Sequence, residues 1–582
     1  MSDYPYLLQP FSLGNLTLPN RVVMTTVKLG YGSRSGEVNR KHSAFYRRRA
    51  EGGVGLLTTE PMYVLPNGRE IPTQLGIDSD DLIPGLRKLT AAIHSAGGRV
   101  MAHINHAGRA ANPRLVSSGQ LLSASDVPCP ANGIVPEPAA EDEIQQLVEA
   151  FRAAARRALE AGFDALEIPF SHGYLIHQFL SPHTNRRHDR YGGSLTNRLR
   201  FGREIIRTIR EEIGESFPLI IRLNARDYVP GGLELEDALA IARELDKENV
   251  DALSITSGTM CESVAYCLYP SGTPEANLLP LASAIRKAVS LPVMAAGRLR
   301  TPEVADQALA RGQLDLIGMG RPFLADPDWV IKAARGSRER IMLCAACHQG
   351  CLAELRRGEG THCIVNPLTG RESKLAMEPT GEAREILVLG GGPAGLEAAA
   401  VAARRGHDVK LYEQKNQLGG QFLLAAKPPH KEQFSDMVQA MANEVRQAGV
   451  EVNLGIRITP EMVEAMKPDA AVLATGSQPL EIPFPGLESA RYMLAVDVLD
   501  GQDLVETGTA HVIGGGLVGL KNADFLVARG VQVTVLEMLE KAGGDLDPLA
   551  RKMLIDRLAK NGVEILTGTR VLRLTEDTLV VE

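Results

Sequence analysis

Eight short β-branched or apolar runs, each followed by an amphipathic helical stretch, fill the first 340 residues of the chain, at 20–25, 54–60, 99–104, 163–170, 218–224, 251–256, 291–297 and 315–320. Strands that alternate with helices in this way specify parallel pairing through crossover connections, and eight consecutive units are what a closed (β/α)8 barrel needs. Chemistry in such a barrel gathers at the C-terminal strand ends. The residues just past the runs are polar: Thr25 and Lys28, Glu60, His103 and Arg109, His172 and Tyr174, Arg222, Glu262, Gly297, then Gly320 and Arg321.

After the barrel comes Cys344-x-x-Cys347-x-x-x-Cys351, closed by Cys363. Four closely spaced thiolates can hold every corner of a 4Fe-4S cluster. A closed tetrahedral zinc site is the competing reading, with His348 and His362 nearby as further ligands. The position between a barrel and two glycine fingerprints favours iron–sulfur, since structural zinc conducts no electrons. The other cysteines, Cys129, Cys261 and Cys267, are an odd remainder, which argues against a disulfide framework in a reducing compartment. A net charge of -7 gives no footprint for nucleic acid or an anionic membrane surface. Met1-Ser2-Asp3-Tyr4 starts no basic-then-apolar leader, and no uncharged run reaches about 18 residues. The expectation is a soluble, cytoplasmic protein with a small-molecule substrate, homo-oligomerisation being left open.

The runs His172-Gly173-Tyr174-Leu175, Gln178-Phe179-Leu180-Ser181-Pro182, Asn185 and Tyr191-Gly192-Gly193-Ser194, together with His106-Ala107-Gly108-Arg109, Ala296-Gly297-Arg298 and Met319-Gly320-Arg321-Pro322, resemble the old yellow enzyme family of FMN-dependent oxidoreductases. With the cysteines and the nucleotide-binding half added, the chain is similar to the larger iron–sulfur flavoprotein branch, which includes 2,4-dienoyl-CoA reductase and trimethylamine dehydrogenase. The resemblance implies FMN in the barrel. Gly297, Gly320 and Arg321 would cradle its phosphate, and Arg222 would set positive charge against N1 and O2 of the ring. Thr25 and His103 would border the flavin, His103 standing where the family has glutamine. Tyr174 matches the residue that protonates an alkene, and His172 the donor to a substrate oxygen. Pro169 stands where many relatives carry a second such donor, which removes the usual carbonyl clamp. Lys28 can attract a carboxylate, and Glu262 can receive a proton or hold an ammonium group. Aromatic content of 4%, with the single Trp329 far from the mouth, leaves no cage for a trimethylated cation.

Downstream, the apolar run 385–389 enters Gly390-Gly391-Gly392-Pro393-Ala394-Gly395 and an alanine-rich helix. Gly390, Gly392 and Gly395 permit the tight turn and close pyrophosphate approach, and Glu413 is spaced to accept from a ribose hydroxyl. Gln421, in Leu418-Gly419-Gly420-Gln421, and Ala474-Thr475-Gly476 complete a pattern similar to flavin-binding disulfide reductases, which implies FAD. A second turn contains Gly514, Gly516 and Gly519, followed by a strand ending in Glu537. A carboxylate there suits a ribose hydroxyl and repels a 2′-phosphate, so NADH is expected over NADPH. Lys521-Asn522 interrupts the small residues usual after this turn. The chain stops at Glu582, before the segment with which relatives return to close the FAD site, so the expectation is either a truncated chain or an incomplete FAD site.

The expected architecture is α/β: an FMN-binding TIM barrel at 1–340, an iron–sulfur segment and linker at 341–383, and Rossmann-like FAD and NAD(P)H domains at 384–490 and 491–582. The expected reaction passes electrons from NAD(P)H through FAD and a 4Fe-4S cluster to FMN, which reduces an activated C=C bond of the 2,4-dienoyl-CoA or 2-enoate type. The alternative is an FMN-dependent amine dehydrogenase or demethylase acting on a secondary or tertiary amine such as an N-methyl amino acid. A non-catalytic electron-transfer protein is a third class.

Overall fold

The computed structural model describes all residues except 1–2, 376, 481–483, 490–491, 502–506 and 576–577. The expected boundary at 490/491 falls outside the described residues. The chain divides into two compact units, Met1–Tyr269 with Thr273–Cys344 and Gly350–Leu375, and Ala376–Glu582 with Pro270–Gly272 and Ala345–Gln349.

In the first unit all eight expected strands form: β1 Val22–Met24, β2 Leu56–Thr58, β3 Val100–Asn105, β4 Ala165–Phe170, β5 Leu219–Asn224, β6 Ala252–Thr256, β7 Val293–Ala295 and β8 Leu316–Met319. Each pairs in parallel with its sequence neighbours, and β8 returns to β1 with Ile317 opposite Val22, so the sheet closes on itself. The connecting helices bury one stripe each, as a 3.6-residue period dictates. In Glu141–Glu160 the stripe is Ile144, Leu147, Val148, Phe151, Ala154, Ala155 and Ala158.

Side chains in a strand alternate faces, and this places two unlike layers inside the barrel. Val23, Leu56, Met101, Ala165, Ile220, Ala252, Met294 and Leu316 form an apolar floor, sealed by Leu13 and Leu18 of an N-terminal hairpin, Phe11–Leu13 with Leu16–Leu18. Two residues further along the strands the same inward face carries Thr25, Thr58, His103, Glu167, Arg222 and Ser254. The floor stabilises the fold, and the layer above it starts the site.

One expectation is overturned. Cys129 and Cys261, 132 residues apart, form a disulfide with Cα atoms 5.2 Å apart, leaving Cys267 as the odd thiol. Barrel closure brings the loops after β3 and β6 together over the mouth, a proximity that cysteine counting does not reveal.

In the second unit, β9 Glu385–Leu389, β10 Asp408–Glu413, β11 Glu451–Leu454 and β12 Ala470–Leu473 make a parallel sheet in the order β11-β10-β9-β12. β13 Thr509–Ile513, β14 Gln532–Glu537 and β15 Glu564–Thr567 make a second parallel sheet in chain order. Both glycine runs lie where a first strand turns into a helix, Pro393–Arg404 or Leu517–Val527.

Candidate active site

The polar layer of the barrel is organised by Glu167, which the sequence reading passed over inside an apolar run. His103 Nδ1 lies 2.6 Å from its Oε2, and Arg222 Nη1 lies 3.7 Å from the same oxygen. Burial opposes the Glu167 charge, but the His103 hydrogen bond and the Arg222 guanidinium outweigh it and hold the carboxyl below its usual range. His103 Nε2 is buried and without a partner, and Arg222 Nε and Nη1 are likewise buried without a hydrogen-bond partner. Unsatisfied buried donors cost about 1–3 kcal/mol each, so these atoms are built for something that lies on the layer. The mixed donor and acceptor edge of a flavin pyrimidine ring fits them. A carboxylate two residues before Pro169, facing the same way as His103 and Arg222, was the available signal.

Above this layer stands the His172–Tyr174 turn after β4. His172 adopts a left-handed φ of 60°, rare for a residue with a Cβ, and is pinned by Asn224 Oδ1 on its N–H, by Met260 N–H on its carbonyl and by Thr256 Oγ1 at 2.7 Å from Nε2. Burial, reinforced by Arg222 and His103, holds its pKa well below the usual value, so the imidazole is neutral. Tyr174 caps the short helix Leu175–Leu180 and is buried, which pushes its phenol upward and keeps it protonated. The rings of the two residues meet edge to face at 6.1 Å. Gln178 ties this turn to the His-Ala-Gly-Arg run, donating to Gly173 and Ala107 carbonyls at 2.6 and 3.0 Å and accepting from Arg109 N–H at 3.2 Å.

Two charges expected to meet substrate are paired within the protein. Lys28 Nζ lies 2.5 Å from Glu70 Oε1. Glu262 Oε1 accepts from Arg109 Nη2 at 2.6 Å, and its Oε2 from Thr259 Oγ1 at 2.7 Å. Burial raises the Glu262 pKa, but its hydrogen bonds and the Arg109 charge bring it down to about 2. Arg109 also donates to the Pro128 carbonyl, so the Cys129–Cys261 bridge and the Arg109–Glu262 pair join the same two loops.

On the far side of the mouth, Gly320 leaves room for Thr25, whose Oγ1 would be 3.2 Å from an added Cβ, and Gly297 leaves room for Leu278. Arg321 donates to the Tyr269 carbonyl. Burial and the neighbouring charges of Arg300 and Arg321 lower the pKa of Arg298. Arg300 is paired with Glu275, and the positive charge gathered at this glycine-rich turn suits a phosphate monoester.

In the second unit Gly395 and Gly519 are required, because an added Cβ would strike the carbonyl oxygen of Gly390 or Gly514. Gly390 and Gly514 have φ of 112° and 97°, and Gly392 has nothing within 4 Å of an added Cβ. Glu413 accepts from Gly391 N–H and Glu537 from Gly515 N–H, each at 2.7 Å. Gln421 donates to the Ser477 carbonyl. The open turn above Gly392 at a helix N-terminus fits a dinucleotide pyrophosphate.

Cys344, Cys347, Cys351 and Cys363 are half-buried. Ala346 and His348 between them take left-handed φ of 52° and 64°, and Gly350 packs on the Cys363 backbone. Among the described residues no group of three or more His, Cys, Asp or Glu side chains is arranged as a ligand set. Also among the described residues, no helix is long and apolar enough to cross a membrane.

Residues 6–340 match the NADH:flavin oxidoreductase / NADH oxidase family, and residues 384–582 the pyridine nucleotide-disulphide oxidoreductase family. The chain belongs to the NADH:flavin oxidoreductase family. It is 38% identical to a protein named NADH oxidase from Thermoanaerobacter brockii, over 98% of this chain and 88% of that one. It is 32% identical to N,N-dimethylglycine/sarcosine dehydrogenase from Chromohalobacter salexigens, over 91% of this chain and 78% of that one. The structure of a 2-naphthoyl-CoA reductase complex superposes with a TM-score of 0.95 at 29% identity, covering 100% of this chain and 90% of that chain. As a member of this family the protein is an NAD(P)H-dependent flavin oxidoreductase, in the branch resembling 2,4-dienoyl-CoA reductase.

Proposed function

We propose that the enzyme uses NADH to reduce an electron-poor C=C bond, with Tyr174 as proton donor and His172 as the group that binds the substrate oxygen. When bound, FMN supplies the hydride and FAD receives the reducing equivalents of NADH. His103, Arg222 and Glu167 would hold the flavin ring, Thr25 and Gly320 its border, and Arg298 and Arg321 its phosphate, with Gly297 packing the phosphate turn. Gly390, Gly392, Gly395, Glu413 and Gln421 would hold FAD, and Gly514, Gly516, Gly519 and Glu537 the nicotinamide dinucleotide. The Thr256 hydroxyl holds one nitrogen of His172, and the other can donate to oxygen charge that develops on the substrate. Tyr174 then gives its proton to the carbon beside that oxygen-bearing group.

The observation that carries this reading over amine oxidation is the state of the two carboxylates at the mouth. Glu70 is paired with Lys28 and Glu262 with Arg109, so neither offers uncompensated negative charge to an ammonium. Glu262 therefore serves by holding Arg109. Cys344, Cys347, Cys351 and Cys363 are our assignment for a 4Fe-4S cluster, supported by their number, spacing and half-burial.

The test is anaerobic. Enzyme bleached by NADH should be reoxidised by cinnamate or 2-cyclohexenone, and Tyr174→Phe should slow that step by roughly 10²- to 10⁴-fold. Bleaching of the oxidised enzyme by dimethylglycine, with no response to either alkene, would replace this reading with the amine one.

A further inference from the structure

Lys28 is half-buried beside Tyr174, and the alkene chemistry proposed above gives it no role. Its ammonium lies 5.7 Å from the centroid of the Tyr174 ring. It has three N–H groups, and Glu70 Oε1 takes one of them. Glu70 arrives from the loop after β2, where Gln74 fixes its backbone N–H; its second oxygen, Oε2, is buried without a partner. An exposed lysine at a barrel rim needs no such arrangement. Here a loop supplies a dedicated buried carboxylate, and the pair abuts the Tyr174 phenol.

We infer that Lys28, held by Glu70, returns the proton that Tyr174 loses to substrate. The balance is simple. Hydride adds to one alkene carbon; the Tyr174 O–H bond breaks as a C–H bond forms at the other, leaving a phenolate. A Lys28 N–H bond then breaks and the phenol O–H is restored. The neutral amine takes a proton from water, and NADH is the only reductant consumed. Lys28 is thus a positioning and proton-supplying residue acting through Tyr174, not one that touches the substrate.

The surrounding charges are consistent with this. Burial lowers the Lys28 pKa, but Glu70 and the phenol more than restore it, to above the usual value. Burial and Glu70 raise the Tyr174 pKa while Lys28 lowers it, the net shift being upward. Donor and acceptor thus move in the same direction. The other groups acting on Tyr174 are His172, neutral, at its ring edge, and the buried thiol of Cys267, pushed up by burial. Neither supplies a proton in the neutral range.

The inference rests on the alkene reading, so the experiment separates the two. Holoenzyme carrying Lys28→Met, Lys28→Arg or Glu70→Gln is reduced with NADH and mixed with 2-cyclohexenone or with dioxygen. In Lys28→Met the alkene-driven kcat should fall at least tenfold while reduction by NADH and reoxidation by dioxygen match wild type. Lys28→Arg, which keeps the charge but does not release a proton, should fail to restore it. Full recovery in Lys28→Arg, or a raised KM with kcat unchanged in Lys28→Met, would overturn the relay in favour of charge alone or of a substrate anchor. If wild type ignores the alkene, the functional reading falls instead. A second readout, free of turnover, then still decides Lys28. In protein labelled with [ζ-13C]tyrosine, the resonance absent from Tyr174→Phe should move in Lys28→Met; a fixed resonance would show that the ammonium does not face the phenol.

Discussion

In the first nucleotide fold, Gly391 N–H donates to Glu413 at 2.7 Å and Gly419 N–H to the Gly391 carbonyl at 2.8 Å. In the second, Gly515 N–H donates to Glu537 at 2.7 Å and Gly543 N–H to the Gly515 carbonyl at 2.7 Å. The same lock therefore sets both turns. They part at the helix N-terminus, where an anion would sit. Pro393 has no N–H, and the space above Gly392 is open. Leu517 N–H, in contrast, donates to both oxygens of Asp545, at 2.9 and 3.1 Å. The first turn is preset for a dinucleotide that stays, while in the second an internal carboxylate stands where an incoming pyrophosphate must bind. That difference suits a resident FAD beside an exchangeable nicotinamide co-substrate.

The shared part of the comparison is broken most severely at the glycines beneath the turns. Gly395→Ala and Gly519→Ala each force a methyl group against a carbonyl oxygen, an overpacking cost of about 3 kcal/mol. Gly395→Ala should be isolated without FAD, and Gly519→Ala with FAD but not reducible by NADH, as flavin content and anaerobic bleaching will show. Retention of FAD by Gly395→Ala would mean that the lock does not control the first site.

A smaller asymmetry lies one turn into each helix. The first has Ala398, Ala399 and Ala400 where the second has Asn522, Ala523 and Asp524, preceded by the half-buried Lys521. Burial, with Lys431 close by, lowers the Lys521 pKa to about 7 despite Asp524 at 3.5 Å. Between that value and the unfolded lysine's, the unfolded chain binds a proton that the folded one lacks. Stability should therefore climb as pH rises from about 7 toward 10 and be lost again as pH falls back. Lys521→Met should be more stable at pH 7, by about 2 kcal/mol, with the gap closing toward pH 10 in thermal melts. Asp524 keeps Arg557 as partner at 2.6 Å, so the substitution strands no charge.

The strands and the glycine turns were legible because each rests on a short-range rule: short apolar runs, buried on both faces in β3 and β4, set between helical stretches, and a backbone approach at Gly395 and Gly519 that excludes any Cβ. The positions of Arg222 and Tyr174 were legible because both follow from where the strands end. What escaped depends on closure. Glu167 lies inside an apolar run, and its role depends on His103 and Arg222, which arrive from neighbouring strands. Glu262 looked available until Arg109, 153 residues away, took its charge. Cys129 and Cys261 looked like leftovers until two loops met. Lys521 did look out of place, but Asp524 and Arg557 had to be seen before its charge made sense.

The smallest effect bears most directly on the difference between the folds. Asp545 is exposed, so moving its carboxylate aside costs little, and removing it relieves only a local repulsion between like charges. Asp545→Ala should tighten NADH binding by roughly three- to tenfold, as expected for about 1 kcal/mol. FAD content should not change, because the first turn has no matching carboxylate. Asp545→Asn can still hold Leu517 N–H but carries no charge, so it separates the two components of the contact. If it binds NADH as Asp545→Ala does, repulsion was the obstacle. If it binds like wild type, the occupied N–H was, and the pyrophosphate must compete for that donor. No change in either variant, measured as the NADH dissociation constant, would mean that the nicotinamide co-substrate docks elsewhere and that the two turns differ only in sequence.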